Sequence, residues 1–340
     1  MNKKGAMNNM SNTNKLTRRS WIQSAFSTAG LLAITPAEGL LGGPRKNNSD
    51  SLAMQLYKSL SDSQKEKVCL PANHPKRQYI NNWWYIHPEH RIPTTFTPDQ
   101  QELIRKIFDS LHSSEHQDAV NNQVLIDKYG EEKNAPSAGF FGTPADKNFE
   151  FIFTGHHVTR RCNAHSHKGQ GFGGAPIFYG HYPHPAKNSR ENFQETKDHP
   201  GNPYWYQGKI FNRFVQSLDG RQQAMGLIEG EPRSEKPDSV IQIATEKHGL
   251  RTSELSKDQK KFLIETMRAM MAMFRQDDVN ATIETIRKKN IVDELTVSWF
   301  SGKYDIGSDK VWDTWQIEGP NMIWYFRGEP HIHCYFHLKA

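Results

Sequence analysis

Phe149-Glu-Phe-Ile-Phe-Thr-Gly155-His156-His157 is an aromatic run that ends in a histidine pair. Its alternation predicts a β-strand, because successive side chains of a strand point to opposite faces of the sheet. Neighbouring histidines in a strand then face opposite sides, so only one of His156 and His157 joins a shared site unless Gly155 permits a bulge. The run therefore predicts a strand followed by one candidate metal ligand, and it leaves open which histidine that is.

A second histidine pair, His331-Ile-His333, lies near the end of the chain after the aromatic run Met322-Ile-Trp-Tyr-Phe326. The same alternation places the side chains of His331 and His333 on one face of a strand. Two imidazoles side by side provide half of the ligands that a zinc site commonly has. The two pairs together predict a metal site formed by His156, His157, His331 and His333.

One helix-start signal occurs four times along the chain. Each copy has an apolar residue, then a capping Ser, Thr or Asp, and a Gln three positions after the cap. The cap oxygen accepts a hydrogen bond from an amide of the first turn, and the Gln reaches back to the amide of the cap. We therefore expect helices to begin directly after Ser61, Thr97, Asp219 and Ser256.

The order of these signals predicts an α+β fold with antiparallel sheet packed against amphipathic helices. Behind Thr97 and Ser256, apolar residues recur at helical spacing and form one stripe. Strands and helices do not alternate in the rhythm that builds a parallel sheet. Because the caps recur in two pairs at nearly equal offsets, the pattern also suggests a pseudo-twofold internal duplication, with halves 51–207 and 208–340.

The first 50 residues are predicted to lie outside the folded domain. Thr17-Arg-Arg-Ser20 precedes a short apolar run and a small-residue end, which is the order of a twin-arginine export signal. We predict a signal peptide over 1–37, a disordered linker over 38–50 and a single α+β domain over 51–340. The twin-arginine export machinery is then a partner during translocation, and the mature protein is periplasmic or otherwise extracytoplasmic. The alternative for the N-terminus is a short amphipathic helix in a disordered tail.

The net charge of +6 comes largely from the predicted signal peptide. Residues 1–37 contain no acidic residue, and without them the chain is nearly neutral. No basic excess is left to predict a nucleic-acid partner. No stretch contains the roughly 18 apolar residues of a membrane-spanning helix, so the mature chain is predicted to have no integral membrane segment. The basic residues of the signal are Lys3, Lys4, Lys15, Arg18 and Arg19.

The three cysteines, Cys69, Cys162 and Cys334, are an odd number, so at most one disulfide can form within the chain. The sequence leaves their pairing open. Cys162 follows Arg160 and Arg161, whose positive charges are expected to lower the pKa of its thiol. A nucleophile also needs a positioned base, and a structural cysteine is the favoured interpretation.

Four features of the sequence occur together: the twin-arginine signal, a Gly155-His-His segment after an aromatic strand, Gly319-Pro320, and the terminal His331-Ile-His333. In this combination the chain resembles the bacterial family catalogued as domain of unknown function 3500. The resemblance extends from about Ser51 to the C-terminus. It implies no activity, cofactor or partner, because the family is defined without an established function.

The first functional hypothesis is a histidine-ligated metal-dependent enzyme, either an oxidoreductase or a hydrolase. Three imidazoles with an open position suit one Zn or Cu ion, whereas two imidazoles with a carboxylate such as Glu318 or Glu329 suit non-haem Fe. Zinc implies hydrolysis by an activated water, and copper or iron implies oxidoreduction. The substrate, a small molecule or a polymer, is not specified by the sequence.

The second hypothesis is a non-catalytic exported binding protein. It would have an aromatic groove for a sugar or a peptide, and its histidines would be hydrogen-bonding or rim residues. A third hypothesis is a metal-free enzyme that uses a histidine as general base. Imidazole nitrogens of both pairs within about 4 Å of a common point favour the metal site, whereas pairs on opposite faces of a sheet exclude it.

Overall fold

The computed structural model describes residues 48–127, 132–163, 171–181, 203–232, 248–302, 310–328 and 331–339. All of them belong to one unit, Lys46–Ala340. The predicted signal peptide, residues 1–37, lies outside the described residues. The linker predicted over 38–50 overlaps the first helix, which begins at Asn48.

The described part of the chain contains nine α-helices, and four of them begin where the capping signals predict. At Ser61, Thr97, Asp219 and Ser256 the side chain of the cap residue accepts a hydrogen bond from the amide three residues later. The side chain of the Gln at that later position accepts a hydrogen bond from the amide of the cap residue. These helix starts are confirmed. Within the described residues, no helix is long and apolar enough to cross a membrane. The helices are α1 Asn48–Ser59, α2 Asp62–Val68, α3 Ile92–Thr95, α4 Pro98–Ser110, α5 Gln117–Asp127, α6 Tyr206–Gln216, α7 Gly220–Gly226, α8 Lys257–Met270 and α9 Gln276–Lys288.

The strands of the described residues form one sheet. They are β1 Cys69–Leu70, β2 Ser137–Phe141, β3 Glu150–Gly155, β4 Val158–Asn163, β5 Ile177–His181, β6 Leu227–Ile228, β7 Leu250–Arg251, β8 Thr296–Phe300, β9 Thr314–Glu318, β10 Met322–Arg327 and β11 Ile332–Leu338. Their order across the sheet is β1-β2-β3-β4-β5-β11-β10-β9-β8-β6, and β7 pairs with β8 beside this order. Both long aromatic runs form strands as predicted, β3 and β10.

The α+β class is confirmed, but the sheet is mixed rather than wholly antiparallel. β1 runs parallel to β2, and β6 runs parallel to β8. Parallel neighbours need a long connection, and helices supply it in both cases. α3, α4 and α5 separate β1 from β2, while α8 and α9 lie between β6 and β8. Neither β1 nor β6 could be predicted from the sequence, because each is only two residues long.

The two halves of the sheet correspond in position about the central β5–β11 pair. The strands β1, β2, β3, β4 and β5 on one side match β6, β8, β9, β10 and β11 on the other. The capped helices add a second correspondence. The side-chain amides of Gln64 and Gln100 hydrogen-bond to each other, as do those of Gln222 and Gln259. An internal duplication stays a prediction, because similar arrangement alone does not establish a common origin.

Side chains of the central strand β11 alternate between two buried faces. Cys334 and Phe336 belong to the main hydrophobic core, which also contains the apolar stripes of the helices. Tyr335 packs instead in a smaller cluster with Ile80. Because alternate residues of a strand share a face, His333 lies on the Tyr335 side. The candidate site therefore lies on the face away from the main helical core.

A buried ion-pair group fixes the segment 75–80 to this second face. Glu150 accepts hydrogen bonds from Arg161 Nη1 at 2.6 Å and from Arg77 Nη2 at 3.0 Å. The side chains of Glu150 and Arg161 are completely buried. Arg161 also donates to the backbone carbonyl of Tyr79. The group thereby positions the chain that continues to Trp83, beside the candidate site.

Candidate metal centre

The first histidine pair forms a tight turn between two strands. β3 ends at Gly155, β4 begins at Val158, and these two residues pair with each other. His157 has a φ of 55°, in the left-handed region that non-glycine residues seldom adopt. Strand alternation therefore does not apply to the pair. The ring centroids of His156 and His157 are only 3.9 Å apart, so both rings lie on the same side of the turn.

Three of the four predicted histidines meet at one point. His333 Nε2 lies 3.0 Å from His157 Nε2 and 2.8 Å from His331 Nε2. The ligand atoms of all three lie within 4.8 Å of one another. His333 comes from the central strand, His331 immediately precedes it, and His157 reaches over from the β3–β4 turn. Residues 176 positions apart in the chain are thus brought into direct contact.

The fourth predicted histidine, His156, lies beside this group. Its Nδ1 is 2.7 Å from the backbone carbonyl oxygen of Asp127. Its ring stacks on Trp83 with the centroids 4.4 Å apart. Among the described residues, the group of candidate ligands contains only His157, His331 and His333. His156 contributes to the wall of the site.

Asp127, at the end of α5, orients His157. Its Oδ2 lies 3.0 Å from His157 Nδ1 and accepts a second hydrogen bond from Gln123 Nε2 at 2.6 Å. A carboxylate can only accept from the ring, so it keeps the hydrogen on Nδ1 and leaves the lone pair of His157 on Nε2. Nε2 is the atom that faces His333. The role of Asp127 could not be predicted from the sequence, because it lies 30 residues from His157 and outside any motif.

Burial keeps two histidines of this site, His333 and His156, uncharged. The pKa of His333 is held well below its usual value, first by burial and then by the charges of Arg327 and His156. Burial also lowers the pKa of His156 to about 4, with a further contribution from His157. Neutral imidazoles carry the lone pair that metal binding requires.

Gly180, on β5, makes room for the His157 ring. It pairs with His333 in the sheet, and its amide donates to the carbonyl oxygen of His157. A Cβ at this position would overlap the carbonyl oxygen of Ile332 and lie 3.3 Å from His157 Cδ2. Only a glycine therefore lets the turn close onto β5 at this distance.

Gly180→Ala is expected to lower the stability by about 1–3 kcal/mol, as overpacking commonly does, and to weaken zinc binding by displacing His157. Thermal unfolding and zinc titration measure the two effects. Gly220→Ala is the matched control, because a Cβ there meets nothing within 4 Å. Equal zinc affinity in both variants would contradict this packing role of Gly180.

Within the described part of the chain, the site is exposed on the side of His331. His157 and His333 are buried, whereas His331 is half-buried. Phe178 lies beneath the group, with its ring centroid 5.5 Å from that of His333. Trp83, which covers His156, is 46% exposed. A ligand can therefore approach from the side of His331 and Trp83.

None of the other candidates from the sequence that the structure describes joins the group. Glu318 lies at the far end of β9, whose opposite end, Thr314, is the one aligned with His333 through Arg327. Glu329 lies outside the described residues. Cys69, Cys162 and Cys334 form no disulfide with one another. Cys162 is buried, and burial raises the pKa of its thiol, so the expectation of a lowered pKa is wrong.

Comparison with known families covers nearly the whole folded part of the chain. The model of the family described as protein of unknown function DUF3500 matches residues 45–338. The chain belongs to this family. No curated protein and no solved structure matches the chain. Because the family description assigns no activity, the function has to be argued from the geometry of the site.

Proposed function

We propose that the protein is a metal-dependent enzyme in which His157, His331 and His333 bind one ion. The meeting of three Nε2 atoms carries this proposal. His333 Nε2 lies within hydrogen-bonding distance of two other ring nitrogens, yet a neutral imidazole nitrogen has either one hydrogen or one lone pair. Hydrogen bonds between the rings therefore cannot satisfy both contacts. A cation removes this conflict, because every Nε2 then contributes a lone pair.

The ligand set favours zinc. Three imidazoles with a fourth position for water are a common arrangement in catalytic zinc sites, and copper is the next candidate. Among the described residues no carboxylate joins the group, and Glu318, one of the two carboxylates considered for non-haem iron, lies at the other end of β9. Zinc would lower the pKa of a bound water and so supply the nucleophile for hydrolysis of an ester or a related bond.

Reconstitution with defined metals tests this function. Metal-free protein would be loaded with zinc, copper or iron, then assayed on a panel of carboxylic and phosphate esters and for oxygen uptake. We expect zinc-dependent hydrolysis that is absent from a His331→Asn, His333→Asn double variant. Copper-dependent oxygen uptake would instead identify an oxidoreductase. No metal-dependent turnover in any assay would contradict an enzyme.

One observation favours the second candidate, a non-catalytic binding protein. Trp83 presents a large exposed aromatic surface next to the histidines, and such surfaces bind sugars and peptides in many sites. Isothermal titration of metal-free protein with a glycan and peptide panel distinguishes the candidates. Tight binding without metal, abolished in Trp83→Ala, would favour the binding protein.

We further propose that the enzyme works outside the cytoplasm. The support is the twin-arginine pattern Thr17-Arg-Arg-Ser20 in the sequence. Residues 1–37 fused to a folded reporter should direct it out of the cytoplasm, and an Arg18→Lys, Arg19→Lys variant should block this. Export that is unaffected by the double variant would contradict the twin-arginine route.

A further inference from the structure

A series of buried side chains joined by hydrogen bonds, the hydrogen-bond chain, leads from the candidate metal centre into the main core. Gln123 Nε2 donates to Asp127 Oδ2 at 2.6 Å, and Tyr204 Oη donates to Gln123 Oε1 at 2.7 Å. Arg160 Nη2 donates in turn to Tyr204 Oη at 3.3 Å. With His157 at its other end, the chain connects five side chains that are each no more than 1% exposed.

The hydrogen bonds that run from Arg160 to Asp127 all point in one direction. Each group donates towards Asp127 along the order Arg160, Tyr204, Gln123, and Asp127 accepts the last of these bonds. A positive charge therefore stands at one end and a carboxylate at the other, and the two neutral groups between them are polarised in the same sense. Burial raises the pKa of Tyr204 to about 12, so its hydroxyl keeps the hydrogen that it donates.

Within the described residues, no carboxylate forms an ion pair with Arg160. Its Nε donates to His112 Nε2 at 2.9 Å, and Nη1 donates to the carbonyl oxygens of Phe178 and Thr159. Burial and the nearby Arg160 hold the pKa of His112 well below its usual value, so this partner is neutral as well. A buried guanidinium without an ion-pair partner is costly. Among the described residues, the negative charge that hydrogen bonds connect to the Arg160 guanidinium is the Asp127 carboxylate, through Tyr204 and Gln123.

We infer that Arg160, Tyr204 and Gln123 are positioning residues that set the metal affinity of His157 through Asp127. The polarised chain fixes the Asp127 carboxylate against His157 Nδ1, and a fixed carboxylate partner makes the other ring nitrogen a stronger metal ligand. The inference deepens the proposed function and rests on it, because it concerns the same three-histidine site. It predicts that a change in the core, on the far side of Asp127 from His157, alters metal binding.

The Tyr204→Phe variant tests this inference by removing a single oxygen atom. The variant keeps the ring and removes the hydroxyl that links Arg160 to Gln123. We expect its zinc affinity, measured by competition with a chelator of known affinity, to fall about fivefold, roughly the effect of one lost hydrogen bond. In metal-free protein labelled with nitrogen-15 histidine, the chemical shift of His157 Nδ1 should also change, because the Asp127 carboxylate is held less firmly.

Tyr206→Phe is the matched control. Tyr206 is also largely buried, and its hydroxyl donates to the carbonyl of Met270 and accepts from the amide of Met273, away from the chain. The Tyr206→Phe variant should leave the zinc affinity and the chemical shift of His157 Nδ1 unchanged. If Tyr204→Phe does not fold, Gln123→Met breaks the same hydrogen-bond chain one bond closer to Asp127. It should lower the zinc affinity more than Tyr204→Phe does.

Two results would overturn the inference: unchanged zinc affinity and His157 shift in Tyr204→Phe, or equal changes in Tyr206→Phe. If the wild-type protein binds no metal, the proposed function fails on that result alone. The His157 shift in metal-free protein still tests the connection to Arg160. A shift that changes only in Tyr204→Phe would support that connection, and an unchanged shift would remove it.

Discussion

His157→Asn is expected to weaken zinc binding by a factor of about 100 or more. Structural zinc sites have apparent binding free energies of about 10–16 kcal/mol from four ligands, so one ligand contributes roughly 3 kcal/mol. His157 Nε2 faces His333 Nε2 at 3.0 Å, and asparagine is too short to reach that point. Isothermal titration of metal-free protein with zinc measures the loss.

His156→Asn is the matched control for this prediction. His156 is the neighbouring residue in the same turn, yet its Nδ1 contacts the carbonyl oxygen of Asp127. Asparagine can still donate to that oxygen, so we expect a change in zinc affinity of less than about tenfold, below the loss of a ligand. If His156→Asn were the more damaging of the two, the assignment of His157 as the ligand would be wrong.

Glu150→Gln is expected to destabilise the fold strongly, although it lies outside the metal centre. The variant leaves Arg161, which is completely buried, and Arg77 without their shared carboxylate. Breaking a buried ion pair in this way costs about 3–5 kcal/mol. For a chain of this size, that loss corresponds to a fall in Tm of roughly 10 °C. Differential scanning calorimetry gives the Tm of each protein.

Glu102→Gln provides the comparison. Glu102 also forms an ion pair with an arginine, Arg105 at 2.7 Å, but both side chains are about half exposed on the surface of α4. Solvent screens such pairs, so the Tm should not change measurably. A similar Tm for the two variants would show that the Glu150 ion-pair group stabilises the fold no more than a surface ion pair does.

The elements that depend on neighbouring residues could be predicted from the sequence. A capping box needs only a cap and a Gln three residues later, so the helix start at Thr97 follows directly from the sequence. The shared face of His331 and His333 follows from strand alternation in the same way. Their Nε2 atoms indeed lie 2.8 Å apart.

The contacts between distant parts of the chain could not be predicted. Asp127 belongs to α5 and reaches His157 only because the helix ends against the β3–β4 turn. The alternation argument failed at His156 because the chain turns there, and the positive φ that closes the turn belongs to His157, where glycine or asparagine would have been expected. Tyr204 and Arg160 likewise gave no local signal of their hydrogen bond.

The most direct test of the central claim is the metal content of the protein, measured by elemental mass spectrometry. Wild-type protein would be compared with the His331→Asn, His333→Asn double variant and with His337→Asn. His337 lies on the same strand outside the ligand group, so it controls for changes to β11.

The predicted result is about one equivalent of a single metal, with zinc first in expectation, in wild type and in His337→Asn, and none in the double variant that remains folded by circular dichroism. Wild-type protein without any metal, or a double variant that retains the full equivalent, would contradict a metal centre at His157, His331 and His333.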